Sequence, residues 1–268
     1  MEKESDSPSI TVYGHPYSRA NRVVWLLKEL DLPHIVDSID FFDDQHDDKN
    51  GGNRRVPFLT DAKTGAKIFE SLAINTWLIQ TYGAESALAP RSAREWAELI
   101  KWSFWTMTEV DPLLFEGLMY NEQIGHIISR PSNYQGYFDR MRSESRRDRI
   151  GRELQFPFQI LESTLRDSGD WLMGDRFTAT DLNVASVAFW VFLQEPSQAQ
   201  SLSDGFPEVL TWLNRCMERE HSPWSQFLRD QASANESALI DWSRAADRAR
   251  ERSKRAGPLS RSGGDGVG

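Results

Sequence analysis

Residues 12–30, VYGHPYSRANRVVWLLKEL, decide how the first third of the chain folds. The stretch begins inside SITVYG (9–14), which alternates and is rich in β-formers, so a strand is predicted there. From Arg19 to Asp31, the residues Ala20, Val23, Val24, Leu27 and Leu30 fall at helical spacing and make one buried stripe. Leu32-Pro33 ends that helix. Between strand and helix lies a polar turn holding His15, Pro16, Tyr17 and Ser18. Ser18 stands where a hydroxyl either caps the helix or faces a ligand.

Working outward, HIVDSIDF (34–41) reads as a second strand, and FDDQHDDKNGGNRR (42–55) as loop with room for a short helix. VPFLTD (56–61) and AKIFE (66–70) read as a hairpin around a short turn. SLAINTWLIQTYG (71–83) is a helix ending at Gly83. The order is βαβ, loop, ββα. GAESALAPRSA (83–93) reads as a linker, after which the periodicity is helical almost throughout. REWAELIKWSFWTMTEV (94–110) is expected to be one long helix, with QFPFQILESTLRDSG (155–169) and FPEVLTWLNRCMERE (206–220) further helices. TATDLNVASVAFWVFLQ (178–194) is so apolar that it should be the central one. The expected organisation is therefore a disordered 1–8, an α/β domain over 9–84, a linker at 85–92 and an all-α domain over 93–224. A C-terminal extension over 225–268 should be helical, then disordered.

Composition limits what this chain does. Forty acidic against 31 basic residues give a net charge of −9, which argues against general nucleic-acid binding. The single cysteine, Cys216, excludes an internal disulfide, a CxxC redox pair and a cysteine zinc site. The five histidines show no HxxxH spacing, so no metal is expected. No apolar run is long enough for a membrane span, and MEKESDSPS at the start is polar and acidic. A cytoplasmic location is the expectation.

Four motifs then converge in order: HPYSRANRVVWLLKEL, RRVPFL, FESLAI and GDRFTATDLNVAS. Together they resemble the cytosolic glutathione S-transferases, over about residues 9–224. The resemblance implies a fold class: an α/β thioredoxin-like N-terminal domain followed by an all-α helical-bundle C-terminal domain. It implies a serine-type enzyme that activates the glutathione thiolate for attack on an apolar electrophile, and a homodimer. A glutathione-dependent isomerase working by addition–elimination in a biosynthetic pathway needs the same thiolate. A non-catalytic binding or scaffold protein is the reading from outside the enzyme class.

The resemblance also implies roles. Ser18 matches the serine that stabilises the thiolate, with His15, Tyr13, Tyr17 and Asn21 as rivals and helix capping as its other use. Lowering a thiol pKa from about 8.5 to roughly 6.5 takes about 2.7 kcal/mol. A hydrogen bond to a charged group supplies about 1.5–3 kcal/mol, and a helix N-terminus adds roughly 0.3–1 kcal/mol. Val56 before a cis Pro57 would pair its backbone with the cysteinyl part of glutathione, like an added strand. Arg55, with Arg54 as its rival, would hold the glycyl carboxylate. Glu70 would pair the γ-glutamyl ammonium, and Ser71 its carboxylate at a helix N-terminus. Tyr17, Trp102 and Trp105 are candidates for the acceptor pocket, with Met107 and Tyr120 nearby in sequence and plain core as their other reading. Thr178 and Asp181 read as a capping box with a structural role. The long 120–150 segment, loop-like with a basic end, and the tail after Trp224 depart from the family pattern.

Overall fold

The computed structural model describes residues 8–14, 18–37, 55–118, 144–193 and 196–223. The readings made for His15, Tyr17, Arg54, Tyr120, the two termini and the 38–54 and 119–143 stretches lie outside these residues.

Strand β1 (Ile10–Tyr13) carries the centre of the first layer. It runs parallel to β2 (His34–Asp37), with Ile10 opposite His34. On its other side it runs antiparallel to β3 (Phe58–Asp61), with Tyr13 opposite Phe58. β4 (Ala66–Phe69) pairs antiparallel with β3, giving the order β2-β1-β3-β4. Parallel neighbours require a crossover, and α1 (Ala20–Glu29) supplies it. Of the predicted stripe, Ala20, Val23 and Leu27 join Val12 and Leu59 in the core, while Val24 and Leu30 are half-buried against it. Helix α2 (Ser71–Tyr82) follows β4 and packs beside α1.

The rest of the described residues are mainly helical. They comprise α3 (Ala93–Trp105), a π turn (Thr106–Val110), α4 (Asp111–Leu118), α5 (Glu144–Glu153), α6 (Gln155–Ser168) and α7 (Ala179–Ala188). After a 3₁₀ turn (Phe189–Leu193) come α8 (Pro196–Gly205) and α9 (Pro207–Met217). Every residue of α7 is buried, and it packs on α1, α3 and α9, so the expected central helix is central. Its capping box is present. Asp181 is fully buried: Oδ2 accepts from Thr178 N at 3.0 Å, and Oδ1 accepts from Leu172 N at 2.8 Å and Trp212 Nε1 at 3.0 Å.

One expectation needs correcting. The run 94–110 is not one regular helix. Asp111 N–H reaches back five residues to Thr106 O, which inserts the π turn. The physical cause lies one residue on: Pro112 has no N–H for the carbonyl four residues earlier, and a widened turn accommodates it. Helices at 144–153 and 196–205, which no motif of the sequence singled out, complete the run. Among the side chains described there, Ile150 and Leu202 are buried.

The two layers are joined by polar threads. Asn75 Nδ2 donates to Arg22 O at 3.3 Å and to Asn183 Oδ1 at 2.7 Å; Asn183 Nδ2 donates to Ser103 Oγ at 3.2 Å. At the far end of α1, Glu29 accepts a fork from Arg219 at 2.7 and 2.6 Å and a bond from Trp25 Nε1 at 3.0 Å. The Arg219 guanidinium lies 3.9 Å from the Phe177 ring centre.

Candidate functional site

The end of β1, the start of α1 and the segment before β3 converge on Gly14. A Cβ there would lie 2.8 Å from Ala20 Cβ, 3.4 Å from Ser18 Oγ and 3.5 Å from Val56 Cβ. Only glycine lets these three segments meet, so the turn and the 56–57 peptide, 38 residues apart in sequence, share one small volume. Gly14 N–H also donates to Asp37 O at 3.0 Å, which closes the β1–β2 edge beneath.

Ser18 is 5% exposed. Its Oγ accepts from Ala20 N at 3.1 Å, and its carbonyl accepts from Asn21 N at 3.1 Å. The capping bond that the sequence offered as one reading is therefore made, although Arg19 is the formal N-cap. It fixes the oxygen at the positive end of α1. Among the rivals, Tyr13 stacks on Phe58, ring centres 4.2 Å apart, and Asn21 is buried on α1.

The Val56–Pro57 peptide is cis, the geometry the family resemblance implied. Arg55 is exposed at its leading edge, and Val56 and Pro57 are buried. On the other side of the hairpin, Glu70 is exposed with φ 68° and ψ 109°. A non-glycine residue held there costs about 1–3 kcal/mol, and such strain gathers at functional positions. Sequence reading had Glu70 as a charge and missed its backbone. Ser71 opens α2 and is buried. The Glu70 side chain makes no capping bond to α2, and the first intrahelical bond runs from Ile74 N to Glu70 O at 2.9 Å. The N–H groups of the first turn of α2 suit a carboxylate.

A charged cluster that the sequence reading did not single out adjoins this edge. Arg19 Nε donates to Asp111 Oδ1 at 3.0 Å, and its Nη2 bonds Asp111 Oδ2. Arg22 Nη2 lies 3.6 Å from Asp111 Oδ1, and Arg22 Nη1 donates to Met107 Sδ at 3.2 Å. Burial pulls the Arg22 pKa down to about 10, with the Asp111 field opposing and the Arg19 charge adding. Burial acts on Arg19 in the same direction, but its bond to Asp111 and that carboxylate's field more than offset it and raise the pKa. The field of Glu70 favours both cations, which puts its carboxylate within electrostatic reach of α1. The missed signal was Asp111-Pro112, a helix-interrupting pair at the end of an aromatic helix.

On the acceptor side, Trp102 is 3% exposed and part of the core. Trp105 is half-buried and meets Trp102 edge to face, ring centres 4.9 Å apart. Met107, held by Arg22, is also half-buried. Cys216 is buried, and burial pushes its thiol well up from the ordinary value, which disfavours the thiolate. No described helix is long and apolar enough to cross a membrane.

Two family models match the chain: glutathione S-transferase, N-terminal domain, over residues 12–86, and glutathione S-transferase, C-terminal domain, over residues 126–220. The glutathione S-transferase-like protein tpcF of Aspergillus fumigatus is 26% identical over 220 residues, covering 80% of this chain and 93% of its own. The glutathione S-transferase-like protein gedE of Aspergillus terreus is 24% identical over 216 residues, 79% of this chain and 91% of its own. Among solved structures, Ure2p5 from Phanerochaete chrysosporium, cocrystallized with 1-(S-glutathionyl)-2,4-dinitrobenzene, aligns with a TM-score of 0.69 at 21% identity. That alignment covers 86% of this chain and 99% of the other, and at such identity it is a likeness of fold.

Proposed function

Because the chain belongs to the glutathione S-transferase family, we propose that it binds glutathione along the Val56–Pro57 edge and uses Ser18 to hold the thiolate for attack on an apolar electrophile. The observation that carries this reading is the placement of the Ser18 hydroxyl. Its oxygen is fixed by Ala20 N–H at the start of α1, against Gly14 and beside Val56. A hydroxyl is both donor and acceptor, so capping and thiolate stabilisation are compatible roles for one residue.

The rest of the tripeptide fits the neighbouring groups. Val56 offers backbone N–H and C=O to the cysteinyl unit. Arg55 takes the glycyl carboxylate. Glu70 pairs the γ-glutamyl ammonium, and Ser71 with the α2 N-terminus takes the carboxylate beside it. Trp105 and Met107 are the acceptor-side residues best placed by exposure, while Trp102 supports them from the core. The chain acts as a homodimer in this reading. Ile100 and Phe104, one turn apart on α3, are both exposed, Phe104 at 68%, and suit a second copy.

Turnover of glutathione with an activated dinitrobenzene tests the reading. Wild type is expected to form the conjugate, and Ser18→Ala to lose most of that rate while still binding glutathione. Conjugate formation unchanged in Ser18→Ala overturns the assignment. The same thiolate serves addition–elimination, and with an isomerisable olefin the amount of free glutathione before and after reaction separates return from consumption.

A further inference from the structure

Asp111 and Phe115 stand one turn apart on α4, and both hold the same side chain. Asp111 takes the Arg19 guanidinium in a two-pronged bond, and the Phe115 ring centre lies 5.4 Å from its carbon. Arg19 is the N-cap residue of α1 and the chain neighbour of Ser18, yet its side chain makes no capping bond. It crosses to the helical domain instead.

This arrangement is expensive. Two guanidinium groups face one carboxylate, and both Arg22 and Asp111 are 1% exposed. Among the described residues, Arg22 Nε and Nη2 have no hydrogen-bond partner. Buried ion clusters seldom stabilise more than apolar side chains of the same volume, and their best-attested use is to fix register. The π turn points the same way. Its extra residue rotates everything after Val110 by about 100° relative to a continuing α-helix, a change that sets where Asp111 and Phe115 face. Such turns recur at functional sites.

We propose that Arg19 and Asp111 form a latch in which Asp111, acting through Arg19, is a positioning residue that sets the Ser18 hydroxyl in register with the acceptor helix. The proposal rests on the reading of Ser18 given above. It makes the geometry of the thiolate donor depend on docking of the helical domain, and assigns Arg19 a geometric rather than a coulombic part.

A double-mutant cycle on the full chain tests it, with glutathione as the probe and the pH midpoint of its ionisation in the bound state as the readout. Arg19→Lys keeps the charge but loses the fork. It is expected to raise the midpoint by about half a unit, and Arg19→Met by about one unit, a tenfold change in the thiolate equilibrium. In a Ser18→Ala background both substitutions should have no further effect. Equal shifts in both backgrounds, or a shift with Met that vanishes with Lys, overturn the latch and leave the Ser18 reading standing, because Arg19 then acts as a field. No shift in either variant, with Ser18→Ala impaired, also overturns it. A Ser18→Ala protein that ionises glutathione like wild type overturns both. If Arg19→Met does not fold, the cycle is closed with Arg19→Lys alone.

Discussion

Replacing Tyr82 by Phe probes the hairpin that carries both proposed glutathione segments. Asp61 ends β3 and is buried. It accepts from Tyr82 OH at 2.5 Å, Thr64 Oγ1 at 2.6 Å and Lys63 N at 3.0 Å. Burial raises its pKa, but hydrogen bonds from Thr64, Tyr82, Ser9 and Lys63 N–H outweigh it and bring the value from 3.8 to about 2. A drop of about 1.8 units is worth about 2.4 kcal/mol at 1.36 kcal/mol per unit, net of burial and shared by those donors. A single bond to a charged group is worth about 1.5–3 kcal/mol before that burial term. Tyr82→Phe should therefore cost about 1–2 kcal/mol at neutral pH. The carboxyl is depressed, so its contribution is present above pH 4 or so and is lost as pH falls through about 2. Seen from the other partner, burial and Asp61 push the Tyr82 hydroxyl up to about 12, so the same bond persists below about pH 10 and fails as pH climbs through 12. Urea unfolding at about pH 7 and about pH 2.5 reads the difference as a midpoint shift at constant slope. A neutral-pH cost under about 0.5 kcal/mol, or one undiminished in acid, refutes the reasoning.

Three further outcomes follow from buried geometry. Asp181→Ala strips four donors of their acceptor and should lose about 3–5 kcal/mol in urea unfolding, without any direct effect on glutathione affinity. Glu70→Gly relieves a positive φ and should gain about 0.5–1 kcal/mol by the same assay. Calorimetry should show that variant binding glutathione roughly tenfold more weakly, for loss of a charge-assisted partner. Gly14→Ala places a methyl 2.8 Å from Ala20 Cβ and should cost about 1–3 kcal/mol on unfolding, with the bound thiol ionising at higher pH because the Ser18 turn must shift.

Much of this fold was legible because its signals are periodic. Val23, Val24 and Leu27 announced α1, and the uniform apolarity of 178–194 announced the core helix. Glu70-Ser71 and Val56-Pro57 were legible as family motifs. What stayed hidden depends on tertiary neighbours. Nothing local marks Gly14 as the contact point of three segments, since two of them lie farther along the chain. Glu70 looks like an ordinary exposed acid until its φ is known. Arg19 and Arg22 drew no notice in the sequence, yet Arg22 is buried against Met107 and Asp111. Met107 lies within, and Asp111 directly after, a π turn that only Pro112 hinted at. Trp102 and Trp105 share a helix and an aromatic character, and packing alone separates the core residue from the half-buried one.

The central claim is that Ser18 holds the thiolate of bound glutathione. Titrating the ultraviolet absorbance of that thiolate in wild type and Ser18→Ala tests it most directly. The account expects wild type to ionise bound glutathione at roughly pH 6.5, about two units below the free thiol, and Ser18→Ala to bind the tripeptide yet ionise it close to the ordinary value. Equal ionisation in the two proteins, or a wild type that does not bind glutathione at all, contradicts it.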